Sequence, residues 1–164
     1  MTVETWDINT GLNIANKVAA DLAYSVAYFN SLKIDSNFIL SLPDHPDYKE
    51  KLDAFSMRFG KLQDILGDQI FRALLEIEME NPQRMTMRAK LNLMEKLGVI
   101  DSAEQWEELR NIRNGLTHDY AENPEQAAEF LKIAADRALE LTAVLAAVER
   151  HIKSIDLRTD KPMQ

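Results

Sequence analysis

Between Leu109 and Tyr120 the chain places two arginines, two asparagines, a histidine and a tyrosine. Arginine carries a permanent charge and a planar fork of N–H donors that fits a phosphate. Histidine, with an ordinary pKa of about 6.5, gives and takes protons near neutral pH. A guanidinium beside an imidazole suits cleavage of an RNA phosphodiester without a metal. The imidazole of His118 would act on the 2′-hydroxyl or on the leaving 5′-oxygen, and Arg113 would stabilise the charge that builds up on the phosphoryl oxygens. DNA lacks the internal nucleophile, so such a site prefers RNA. Arg110 and Thr117, on the same stretch, are candidate RNA contacts. No ligand spacing for a metal is readable, and no cofactor is implied.

Spacing sets a condition on this chemistry. On a regular helix Arg113 and His118 lie about 140° apart and do not share a face. Asn114 and His118 share one, while Arg113 aligns with Thr117 and Tyr120. Either Gly115 distorts the helix, or the site lies in a cleft formed with a second chain. A two-fold dimer brings two copies of the stretch together and concentrates positive charge that a monomer of net charge −8 lacks. The dimer is the expectation favoured here.

The remainder of the chain must position this stretch. Its 164 residues fit one domain with a real core, and 46% hydrophobic with 28% charged residues is ordinary for a globular protein. The absence of cysteine excludes disulfide and thiolate chemistry and fits a reducing compartment. Residues 1–10 are polar and acidic rather than a secretory leader, and no apolar run reaches the roughly 18 residues that would span a bilayer. A cytoplasmic protein with no membrane partner is expected. The net charge of −8 argues against a protein that coats nucleic acid, although Arg84, Arg88, Lys90, Lys96, Arg110 and Arg113 gather cations locally. The first four of these read as solvated helix surface.

Apolar periodicity predicts an all-α, up-and-down bundle of about five helices in one domain over residues 1–155, with a frayed tail at 156–164. The first helix follows a cap at Asn9 or Thr10 and buries Leu12, Ala15, Ala19, Leu22, Val26 and Phe29. Ala15, Ala19, Ala20, Ala23 and Ala27 offer a small-residue face for close helix approach. The apolar piece 37–42 has no firm assignment. Pro46 opens a long helix to about Glu80, buried through Leu52, Phe55, Phe59, Leu62, Leu66, Ile70, Ala73 or Leu74, and Ile77. Gly60 and Gly67 inside it mark a bend or a close crossing. Asn81-Pro82 starts a third helix that ends at Gly98, with Val99 packing back on its last turn. Asp101 to Glu104 reads as a capping box for a fourth helix, buried through Trp106, Leu109, Ile112 and Leu116. Asn123-Pro124 caps a fifth, which runs to about Ser154 through Ala127, Phe130, Leu131, Ala134, Ala138, Leu141, Leu145 and Val148. No stretch alternates like a strand, and no internal repeat occurs.

Arg113-Asn-Gly-Leu-Thr-His118-Asp-Tyr120 resembles the Arg-x4-His-x-Tyr motif of HEPN-domain proteins, specifically the HepT-like toxins, and Asn114 also matches the usual pattern. The likeness extends over residues 12–153 as an all-α bundle with the motif late in the chain, before a long final helix. The resemblance implies a metal-independent ribonuclease acting on single-stranded RNA as a homodimer, with the motif at the dimer cleft. Arg113 and His118 would be catalytic and Asn114 their polar support. It also implies a minimal nucleotidyltransferase antitoxin that transfers AMP to Tyr120, placing a phosphorylated adduct beside Arg113 and closing the cleft to RNA.

Other readings stay open. His118 also fits a helix C-terminus, where the dipole favours its charged form, and Tyr120 fits simple packing. His45 and His151 read as surface. Asp64, Asp68 and Glu76 read as the solvated face of the long helix. From a different functional class, the chain reads as a non-catalytic helical subunit that binds a nucleotidyltransferase through the motif.

Overall fold

In the computed structural model, residues 7–78, 82–117 and 123–159 are described, without side chains for 157–159. The first helix, α1 (Ile8–Asn30), is capped by Asp7, whose Oδ1 accepts from the Thr10 amide at 2.7 Å. The cap therefore lies ahead of Asn9 and Thr10, because an aspartate reaches the third amide of the helix from that position. Ala15, Val18, Ala19, Leu22, Val26 and Phe29 are buried on α3 and α7. Of the small-residue face, Ala15 and Ala19 are covered, whereas Ala20, Ala23 and Ala27 are exposed.

The unassigned piece becomes a short helix, α2 (Ser36–Ser41), capped by Asp35, with Phe38 and Ile39 buried. It adds one helix to the five expected. A 3-10 turn at Leu42–Asp44 leads to Pro46, which opens α3 (Pro46–Asp64). Ile65–Ile70 then widens into a π turn before α4 (Phe71–Glu78). Such a turn winds in extra residues and shifts the faces that follow. Phe71, Leu74 and Leu75 face inward, and Ile77, expected in the core, is 53% exposed.

A 3-10 turn at Pro82–Arg84 precedes α5 (Met87–Lys96), whose cap is Thr86 rather than Asn81. Asn81 lies outside the described residues. Gly98 takes φ +77°, and the amides of Gly98 and Val99 bond the carbonyls of Glu95 and Met94 at 3.0 and 2.9 Å. That is a Schellman stop, closed by buried Val99. The next helix is α6 (Ala103–Gly115). Its box is shifted by one residue: Ser102 accepts from the Gln105 amide, and the Gln105 side chain accepts from the Asp101 amide. Asn123 caps α7 (Pro124–Thr159), which passes the expected end at Ser154 and enters the segment expected to fray. Residues 160–164 of that segment lie outside the described residues.

The result is an all-α bundle, with no strand among the described residues. Phe29, Phe55 and Phe59 meet edge-on in its core, with ring centroids 5.5 and 6.2 Å apart along the series. Burial of each such ring stabilises the fold by about 1.5–3 kcal/mol. No helix among the described residues is long and apolar enough to cross a membrane.

Candidate functional site

Helix α6 carries the polar stretch, and Trp106, Leu109, Ile112 and the following Leu116 bury its apolar face as expected. Its first half is tied laterally by charge. Arg88 of α5 bonds Glu104 and Glu107, the latter at 3.1 Å. Arg137 of α7 bonds Glu140 at 2.6 Å and Glu108 at 2.7 Å, and Gln105 donates to Glu140 at 3.0 Å. Glu104 accepts from its own backbone N–H and from Arg88, which holds its carboxyl below the usual glutamate value. Burial raises Glu140, but the hydrogen bonds from Arg137 and Gln105 outweigh it, and that carboxyl is also lowered.

The last turn is seated by shape. Gly115 lies under Phe130 of α7, and a Cβ there would fall 2.5 Å from the ring. The backbone is α-helical through Gly115, so this glycine provides space for Phe130 and does not distort the helix. The turn thereby presents Arg113 to α3.

Two residues one turn apart on α3 receive Arg113. A Cβ on Gly60 would stand 3.2 Å from the Arg113 Nε, so the side chain crosses α3 where no other side chain intervenes. The Arg113 Nη2 donates to Asp64 Oδ2 at 2.7 Å. With the two side chains 38% and 47% exposed, this pair contributes only about 0.2–1 kcal/mol. Its consequence is placement: glycine and aspartate form a socket that fixes the guanidinium.

Arg113 stands between two depressions. An open groove of about 670 Å³ contains Met57, Lys61, Asp64, Asn114 and Thr117 beside it. A tighter cleft of about 280 Å³ lies among α3, α4, α5 and α6, with Phe71 and Trp106 in its wall and Arg72, Lys90 and Arg110 around it. Gln63 also lines that cleft. It is 4% exposed, and among the described residues neither its Oε1 nor its Nε2 has a hydrogen-bond partner. A buried amide left in that state costs roughly 1–3 kcal/mol.

No protein-family model matches the chain, and no curated protein or solved structure matches it.

Of the residues singled out from sequence, Arg113, Asn114 and Thr117 share the groove, and Arg110 joins Arg113 at the cleft. Thr117 donates its hydroxyl to the Asn114 carbonyl at 2.7 Å, which closes the helix end. His118 and Tyr120 lie outside the described residues. Asp64 and Asp68, expected on a solvated face, line both depressions. Lys90, expected on helix surface, lines the cleft, whereas Arg88 is engaged by two glutamates. His151, expected at the surface, has a side chain only 11% exposed and shares a hydrogen bond with Glu78, the last residue of α4, at 3.0 Å. Sequence reasoning missed Gln63 and Arg72 altogether. Local spacing shows only that Gly60 and Asp64, four apart, share one face of a helix, and it does not show that Arg113 lands there.

Proposed function

We propose that this chain is a metal-independent endoribonuclease of the HEPN type, the toxin of a pair with a minimal nucleotidyltransferase, acting in the cytoplasm as a homodimer on single-stranded RNA. Arg113 stabilises the charge on the phosphoryl oxygens at the transition state. His118 moves the proton of the 2′-hydroxyl or of the leaving 5′-oxygen. Asn114 supports them, and Arg110 and Thr117 contact the RNA. Transfer of AMP to Tyr120 by the partner enzyme places a phosphate against Arg113 and blocks the groove.

The observation that carries this reading is the Arg113 guanidinium, fixed by Gly60 and Asp64 at the edge of an accessible groove beside Asn114 and Thr117. A side chain held in advance loses little freedom when it meets a phosphate, which is how a preorganised donor differs from a surface arginine. The test is incubation of the purified protein with single-stranded RNA in EDTA, beside Arg113→Ala and His118→Ala. Cleavage by the parent protein and loss in both folded variants are expected. Intact RNA throughout would overturn the proposal.

One observation favours a second reading, a non-catalytic subunit that docks a nucleotidyltransferase. Asp64 already neutralises Arg113, and Met57, 65% exposed, lies in the same groove. A partly neutral groove with an exposed apolar side chain suits a protein surface. Stoichiometric capture of such a partner, lost on Met57→Glu, together with untouched RNA would favour it.

A further inference from the structure

The cleft on the other side of Arg113 is built differently from the groove. Four cations, Arg72, Lys90, Arg110 and Arg113, line it against two carboxylates, Asp64 and Asp68. Among the described residues Arg72, Lys90 and Arg110 make no ion pair. In a chain of net charge −8 this local excess of positive charge points to an anion. Phe71 and Trp106, with ring centroids 4.8 Å apart, give the wall an apolar, flat-sided section. Gln63 adds an almost wholly buried amide whose donor and acceptor have no partner among the described residues.

We infer that the Gln63 cleft seats one nucleotide unit, its phosphate among Arg110, Lys90 and Arg72 and its base edge on the Gln63 amide. A carboxamide offers the paired acceptor and donor that base edges complement, as glutamine does when it reads adenine. Single-stranded RNA is recognised by bases turned out of the stack into such pockets. A cleft of about 280 Å³ lies at the small end of ligand sites and suits one ring system with its sugar. The inference deepens the nuclease proposal and rests on it for the source of the nucleotide, an RNA residue next to the scissile phosphate. The same chemistry would also hold a free mononucleotide.

The chain has two tryptophans, so a Trp6→Phe background leaves Trp106, in the cleft wall, as the fluorescent reporter. Titration with AMP, GMP, CMP, UMP, ribose 5-phosphate and inorganic phosphate should show one preferred base. Gln63→Leu, close in size and relieved of the unpaired amide, should keep or raise the melting temperature while weakening that nucleotide about 10-fold, to the level of the others. Gln63→Glu should change which base is preferred, and Arg110→Ala should weaken all four nucleotides alike. Competition between the preferred mononucleotide and single-stranded RNA assigns the site to an RNA residue, and binding without competition assigns it to a free nucleotide. Equal binding of nucleotides and inorganic phosphate, no binding at millimolar concentration, or a preference unaffected by Gln63→Leu would each overturn the inference. Metal-free cleavage alongside any of those three results would leave the nuclease standing and remove only the base site. Base-selective binding without cleavage would do the reverse.

Discussion

The two ends of α6 handle charge in opposite ways. At the start, every formal charge in contact with a neighbouring helix meets its complement: Arg88 with Glu104 and Glu107, Arg137 with Glu108 and Glu140. At the end, Arg110 has no ion-pair partner among the described residues and Arg113 has a single exposed one, beside Lys90, Arg72 and an unsatisfied Gln63. The first arrangement needs nothing outside the chain to be complete. The second is a concave surface on which four cations face two carboxylates, so an anion bound there would add stability. On the proposed function, one helix thus separates the groups that hold the fold from the groups that meet a ligand.

That separation can be broken by experiment. Arg113→Ala should lower RNA cleavage by about 100-fold or more while moving the melting temperature by no more than about 3 °C, checked by a gel assay and thermal denaturation. A matching fall in stability would make Arg113 a structural residue and erase the contrast. Asp64→Asn should come next, with kcat down about 10-fold because the guanidinium loses its anchor, and with KM unchanged or lower because a cation is released toward RNA. Asp64→Glu should restore part of kcat, an outcome that simple charge removal does not predict.

Arg137→Met should have the converse signature: about 1 kcal/mol less stability in urea denaturation and unchanged specific activity. The smallest effect is on pH. The folded carboxyls of Glu104 and Glu140 are lowered, so the stability they contribute is complete above the ordinary glutamate value of about 4.3 and is lost as pH falls through their lower folded values. Thermal melts should show a shallow loss in that acid window, and Arg137→Met should flatten the part that belongs to Glu140. A loss confined to pH above 6 would contradict the assignment.

The sequence carried much of this bundle because its helices are strongly periodic. The buried sets of α1, α6 and α7, with Leu12 and Phe130 only partly buried, the proline start at Pro46, the glycine stop at Gly98 and the cap at Asn123 follow from local chemistry. Caps were misplaced where two candidates stood close together, as with Asp7 against Thr10 and Ser102 against Asp101. Ile77 was misassigned because the π turn at Ile65–Ile70 changes the register, and periodicity presumes a constant one. The site was legible on only one side. Arg113 announces itself by its neighbours in sequence, whereas Asp64, 49 positions away, reaches it through tertiary packing that no local pattern encodes.

The central claim is that Arg113, placed by Gly60 and Asp64, serves a reaction whose nucleophile is the RNA 2′-hydroxyl. It is tested most directly by mass spectrometry of the ends left on a short single-stranded RNA after incubation in EDTA. Fragments ending in 2′,3′-cyclic phosphate and 5′-hydroxyl are expected, absent with Arg113→Ala and absent when the nucleotide before the cut is 2′-deoxy. Cleavage of the 2′-deoxy substrate, or equal cleavage by Arg113→Ala, would contradict it.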